Sequence, residues 1–321
     1  MMPNSRVAIG TVFCLTLAIA CQAQDYPSKI VKIIVPFAPG AGTDLTARML
    51  GKKLQESLGQ TFVIDNRTGA GGMIAAEVAS KSAADGYTLL FGSAALAGNA
   101  SLHPSSTFDP VKDLAPITLI SISPNVVLVR PDYSAKTVKE LVQLAMKFPG
   151  KLNAGSAGNG SSTHLGIELL NQMAGIKVTH VPFKGASPSL VALLSNDTDL
   201  DFQGALSSLA SIRAGKVRAL AVGSRARMSA MPEIPPMDSF YPGFECVNWF
   251  ALFAPAGTPV AITAKLSNEV RKIVRSPEVT ESFNRDGIEV SGSTPAELDA
   301  HLKREIERYA KFTKMASVKL E

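Results

Sequence analysis

One local pattern occurs twice in this chain: a short apolar strand runs into a glycine-rich turn that opens directly into an amphipathic helix. The first copy is the strand 30–35, the turn 36–44 and a helix ending at Gly59. The second is the strand 151–154, the turn 155–162 and a helix ending at Gly175. Strands that alternate with helices in this way build a parallel α/β sheet, and each helix start leaves N–H groups without an intrahelical partner. Such a start attracts anions. Two of them, one in each half of the chain, suggest a small anionic molecule held from both sides.

At 321 residues the chain exceeds one ordinary small core, so two α/β lobes are expected. A composition of 46% hydrophobic and 18% charged residues is globular rather than disordered. The net charge of +5 is mild, its signs alternate and no basic block occurs, which argues against nucleic-acid binding.

Residues 1–23 read as a signal peptide. Arg6 supplies the positive flank, and Val7 to Ala20 is uncharged but shorter than the roughly 20 residues of a membrane-spanning helix. Cys21-Gln22-Ala23 fits a small-x-small cleavage pattern; the competing reading is a lipoprotein with Cys21 lipidated. Either takes the protein out of the cytoplasm. Cys14 and Cys21 belong to this leader, so Cys246 is the only thiol deep in the mature chain. An internal disulfide is therefore not expected, and Cys246 reads as a packed small hydrophobe.

From Lys29 to about Ile122 the pattern is βαβαβ, with strands at 30–35, 61–65 and 87–91. A second α/β run starts near Asn125 and includes the second device. Residues 231–243 hold four prolines and read as a surface connection. The tail has one strand, 248–254, and three helices, which cannot make a third sheet domain. The chain is expected to return to its first unit: lobe 1 from 24–124 plus 250–321, lobe 2 from 125–249. Two chain crossings allow a hinge.

In the first turn, Gly40, Ala41 and Gly42 let a ligand approach the backbone, Thr43 is a candidate N-cap, and Asp44 suits the positive helix end. The spacing is not a dinucleotide fingerprint, because Leu45 stands where the third glycine is needed. In the second turn, Ser156, Gly158, Gly160, Ser161, Ser162, Thr163 and His164 supply hydroxyls and amides, which bind a carboxylate without burying a cation. A secreted serine hydrolase using Ser156 or Ser161 with His164 is the competing enzyme reading, although Ala154 breaks the G-x-S-x-G elbow. The four histidines have no metal-site spacing, and no cofactor or metal is expected. Of the aromatics that could wall a cleft, Phe37 and Phe183 are those expected to meet ligand.

Several motifs in order resemble the Bug family, periplasmic substrate-binding proteins of tripartite tricarboxylate transporters. They are Val35-Pro36-Phe37-Ala38-Pro39-Gly40-Ala41-Gly42-Thr43-Asp44, Asn66-Arg67-Thr68-Gly69-Ala70-Gly71-Gly72, Asp85-Gly86-Tyr87-Thr88-Leu89, Ser161-Ser162-Thr163-His164-Leu165, His180-Val181-Pro182-Phe183-Lys184-Gly185 and Ala254-Pro255-Ala256-Gly257-Thr258-Pro259. The resemblance covers nearly the whole mature chain. It implies a two-lobed type II periplasmic binding protein, or Venus flytrap, each lobe a mainly parallel sheet flanked by helices. It also implies a monomer that binds a small organic carboxylate without catalysis and serves membrane transporter subunits. Presentation of the ligand to a membrane sensor is the alternative role. By the same resemblance Phe37 to Asp44 hold one carboxylate, Ser156 to His164 grip the other end, and Ser93 and Asn99 lie in a third pocket segment. Two departures stand out: Ala41 replaces a glycine common in the first loop, and Gln203 ends its strand where an acid is frequent, favouring a ligand without a cationic amine.

Overall fold

The computed structural model describes residues 26–40, 42–102 and 106–316. The leader, with Cys21, and Ala41 lie outside the described residues. The first part of the chain runs β1 (Val31–Val35), α1 (Gly42–Leu58), β2 (Phe62–Asn66), α2 (Met73–Ser80), β3 (Thr88–Ser93), α3 (Ala95–Leu102) and α4 (Pro110–Asp113). Then come β4 (Leu114–Val129), α5 (Val138–Lys147), β5 (Asn153–Ser156), α6 (Ser162–Ala174), β6 (Thr179–Pro182), α7 (Ala186–Leu194), β7 (Leu200–Gly204), α8 (Ala205–Arg213) and β8 (Arg218–Val222). The chain closes with β9 (Val247–Pro255), α9 (Val260–Val274), α10 (Pro277–Arg285), β10 (Glu289–Val290) and α11 (Pro295–Ala316).

Local chemistry sets several boundaries. Gly59, at φ +70°, stops α1, and Gly175, at φ +63°, stops α6. Thr294 and Glu297 form a reciprocal capping box at the start of α11: the Glu297 N–H donates to Thr294 Oγ1 at 3.2 Å, and the Thr294 N–H to Glu297 Oε2 at 2.7 Å.

β4 is shared by two sheets. Its first part, Leu114–Pro124, pairs with β9, and β10 pairs with Ser121 and Ile122. From Asn125 onward the same strand pairs with β7 and β8. The first sheet runs β2-β1-β3-β9-β4, and the second continues β4-β7-β5-β6. Both are mixed rather than mainly parallel. β1 pairs parallel with β2 and β3, and β5 with β6 and β7, but β9 and β4 enter antiparallel. These two strands carry the chain between the sheets, so their direction follows from the crossing rather than from a βαβ unit.

Helices cover both faces of each sheet, so the inner strands bury apolar residues on both sides; Val31, Ile33, Ile34 and Val35 are all buried. On one side of the first sheet Leu50 and Leu54 of α1 meet Leu266 and Val270 of α9; on the other, Leu96 of α3 meets Leu298 and Leu302 of α11. The closing helices thus pack on the first sheet. In the second, Leu141 and Ile167 cover one face, Leu193 and Leu209 the other. The proline-rich connection 231–243 runs over the surface but is pinned by buried Met231 and Met237. Cys246 is buried and free, and burial pushes its thiol up to about 11, so it is an inert packed group. No described helix is long and apolar enough to cross a membrane.

Candidate functional site

A cavity lies where the two sheets face each other. Phe37, Gly42, Thr43, Ser93, Ala95, Asn248 and Phe250 line it from one side. Ser123 and Asn125 of β4 line it at the crossing, and Ala157, Ser161, Ser162, Thr163, Ala186, Gly204, Leu206 and Ser207 from the other side. The centre of a water-sized sphere can sweep about 40 Å³ of it, where one water needs roughly 10–15 Å³. Among the described residues, no charged side chain is in this lining. Instead, five helices begin at it: α1, α3, α6, α7 and α8. Gly185 and Gly204, the N-caps of α7 and α8, supply no side-chain hydrogen bond, so those first-turn N–H groups stay open to a ligand.

The first loop is held from behind. Gly40 takes φ +82°, and its N–H donates to Asp44 Oδ2 at 2.9 Å; Arg48 Nε donates to the same oxygen at 3.0 Å. Asn66 Nδ2 reaches Asp44 Oδ1 at 3.0 Å and the Phe37 carbonyl at 2.9 Å. Burial alone would raise the Asp44 carboxyl, but the hydrogen bonds from Arg48, Gly40 and Asn66 outweigh it and hold the group below the usual range. Asp44 therefore braces the loop, while Phe37, Gly42 and Thr43 face the cavity.

The second loop is stitched to itself. Ser161 caps α6, accepting the His164 N–H at 3.2 Å and donating to the Gly158 carbonyl at 2.6 Å. Thr163 Oγ1 accepts the Ala157 N–H at 2.9 Å. Ser156 Oγ accepts the Gly158 N–H at 3.0 Å and lies 2.6 Å from His180 Nε2. His164 Nδ1 accepts the Gly160 N–H at 3.2 Å, and its ring stacks on His180 with centroids 4.0 Å apart. Burial lowers His164 to about 4; burial and the neighbouring His164 lower His180 to about 3, so both rings are neutral at pH 7. His164 activates neither Ser156 nor Ser161, since its ring bonds the backbone. The partner of Ser156 is His180, which sequence reading left among scattered histidines; only the register of β5 against β6 brings it there.

Besides Gly40, Asp44, Ser156, Gly158, Gly160 and His164 of the two loops, three further expected site residues, Asn99, Phe183 and Gln203, lie outside the cavity lining. Asn99 donates to the carbonyls of Gly71 at 3.0 Å and Ala95 at 2.9 Å and abuts Gly160. Gln203 Nε2 donates to the Ala186 carbonyl at 2.9 Å and to Asp201 Oδ2 at 2.6 Å. Phe183 lines an adjoining cavity at the rim with Gly158 and Lys184. The residues that sequence reading missed, Asn125, Asn248, Phe250 and Ser207, stand on strands and a helix with no glycine-rich signal.

Between the loops the two halves touch. Phe37 and Ala95 pack with Ala186 and Ala157. A Cβ on Gly71 would overlap the Asn159 carbonyl oxygen, and one on Gly98 the Gly160 carbonyl oxygen. Glycine at these positions lets the backbones meet.

A cleft between two mixed α/β sheets joined by shared strands, walled by helix starts, defines a periplasmic binding protein fold. Residues 46–316 match the tripartite tricarboxylate transporter family receptor, and the chain belongs to that family. It is similar to the periplasmic binding protein BugD, at 32% identity and a TM-score of 0.88 over 92% of this chain and 100% of that one. A protein of R. palustris solved with adipate is 33% identical, with a TM-score of 0.89 over 92% of this chain and 99% of the other. MatC from Rhodopseudomonas palustris, with bound malate, is 32% identical with a TM-score of 0.85, over 89% and 99%. The family is one of transporter receptors, so the chain is a binding protein and not an enzyme.

Proposed function

We propose that this chain, exported and freed of residues 1–23, is a monomeric periplasmic receptor that captures a small carboxylate and delivers it to membrane transporter subunits. The observation that carries the reading is a cavity with five helix N-termini and, among the described residues, no charged side chain in its lining. Partial positive charge at each helix start favours an anion by about 0.3–1 kcal/mol, and without a lining carboxylate nothing repels it. Similarity to the proteins solved with adipate and malate supports the same class.

Capture works by population shift. Lobe 1 (24–124 plus 250–321) and lobe 2 (125–249) turn about β4 near 123–125 and the return crossing near 246–250. Only contacts from both sides favour the closed form. Phe37, Gly42, Thr43 and Ser93 supply them from one lobe, Ser161, Ser162 and Thr163 from the other. Gly40, Asp44, Asn99, Ser156, Gly158, Gly160, His164 and Gln203 keep those loops in shape.

A thermal-shift screen over mono-, di- and tricarboxylates, aromatic acids and amino acids tests this. At 100 times its Kd a ligand adds about 2.7 kcal/mol, which for a chain of this size raises the melting temperature by about 4 °C. A rise with cationic or uncharged solutes and with no carboxylate would overturn the reading.

A further inference from the structure

Asn125 sits where β4 leaves the first sheet for the second: Pro124 still pairs with Val247, and Asn125 pairs with Gly204. Its backbone is fixed, the N–H donating to the Cys246 carbonyl at 3.0 Å and the carbonyl accepting from the Gly223 N–H at 2.6 Å. Its side chain is 1% exposed and belongs to the cavity lining. Nδ2 donates to Ser162 Oγ at 3.0 Å and to Cys246 Sγ at 3.1 Å. The Cys246 thiol gives its one proton to the Ser162 carbonyl at 3.2 Å, so toward Asn125 the sulfur can only accept. The amide is placed with Nδ2 toward Ser162 and Cys246. Both Nδ2 hydrogens are used, and Oδ1 is buried with no partner among the described residues.

An unpaired buried acceptor is costly, and native proteins keep few of them without a use. Two of the neighbouring hydroxyls are committed elsewhere: Ser207 donates to the Gly204 carbonyl and Ser161 to the Gly158 carbonyl. Without ligand a water can supply that donor; a solute that displaces the water has to supply one in its place. A carboxylate cannot be that donor, because it only accepts. An ammonium could donate, but the lining offers no carboxylate to neutralise it, and a buried unpaired charge is strongly disfavoured. A hydroxyl meets the requirement without a charge.

We propose that Asn125 is a specificity residue whose Oδ1 accepts a hydrogen bond from a hydroxyl of the solute, making that solute a hydroxy-carboxylate. This rests on the carboxylate-receptor reading above. The test is calorimetric titration of the protein with acids paired so that they differ by one hydroxyl: malate with succinate, citrate with tricarballylate, lactate with propionate. Aspartate serves as the amino counterpart of malate. In at least one pair the hydroxylated acid is expected to bind about tenfold tighter or more, and aspartate weaker than malate, because a site built for a hydroxyl rejects the analogue that lacks it. Asn125→Ala is expected to bring the two members of that pair to within about twofold; a purely structural loss would weaken both alike and keep their ratio. Equal binding within every pair, or tighter binding of aspartate, overturns the inference and leaves the carboxylate receptor standing. A preference that survives Asn125→Ala overturns the assignment to this residue. Binding of none of these acids, with another carboxylate raising the melting temperature in the wider screen, overturns the inference and leaves the receptor reading standing; no carboxylate in that screen removes both. Asn125→Ser replaces the alanine variant should that fail to fold, and the wild-type ratios decide the solute class without either.

Discussion

Gly98→Ala is expected to weaken ligand binding by about 10- to 100-fold while making the unliganded protein slightly more stable. Gly98 lies inside α3 with no positive φ, so alanine suits the open form and gains up to about 1 kcal/mol of helix propensity. Its Cβ overlaps the Gly160 carbonyl oxygen where the two halves touch, a seam that the proposed mechanism assigns to the closed form. Overpacking of this kind costs about 1–3 kcal/mol, and the whole cost falls on the liganded state. Calorimetry reads the affinity and a melting curve the unliganded stability. A fall in both would mean that the seam is closed whether or not ligand is bound. Gly160→Ala is a poorer probe, because φ +73° strains any side chain there as well.

Acidification is expected to destabilise the fold between about pH 6.5 and pH 4. His164 and His180 are held at about 4 and about 3 in the folded chain, mainly by burial, against 6.5 when unfolded. Their stabilisation is full above pH 6.5 and is lost as the pH falls, because the unfolded chain takes up protons that the folded pair refuses. Asp201 works in the opposite direction. Burial raises it to about 7 from 3.8, despite hydrogen bonds from Gln203 and Ser189, so its stabilisation is full below 3.8 and is lost as the pH rises through 7. These two imidazoles against this carboxyl contribute a net slope of about 1.4 kcal/mol per pH unit, one proton's worth, and His301, which burial also lowers, adds in the same direction. Asp201→Asn removes the counterweight and is expected to steepen the slope by about 1.4 kcal/mol per pH unit. Urea titrations at pH 4.5, 5.5 and 6.5 measure both; a flat profile in wild type and variant would contradict the buried neutral pair.

Much of the α/β order was legible because glycine stops, caps and turn residues mark it: the strand 30–35, the helix closing at Gly59 and the Ser161 cap of α6 all follow local rules. The first half of β4 was hidden. Pro116 and Pro124 argue against a strand, and the sheet accommodates Pro116 beside a register shift against β9. Helix α3 was hidden as well, since Ala95–Leu102 has no polar face to set up a period. In the site, the two loops could be read because backbone approach requires glycine. Asn125, Asn248 and Phe250 reach the cavity only through strand register. Asp44 read as a ligand contact, but Arg48 one turn later and Asn66 on β2 occupy its oxygens.

The opposed loops that first suggested an anion held from both sides have to close on it. Small-angle X-ray scattering of one sample, with and without the carboxylate that raises its melting temperature most, reads that motion directly. The expected result is a smaller radius of gyration when the carboxylate is bound. An unchanged radius at saturating ligand would contradict capture by closure.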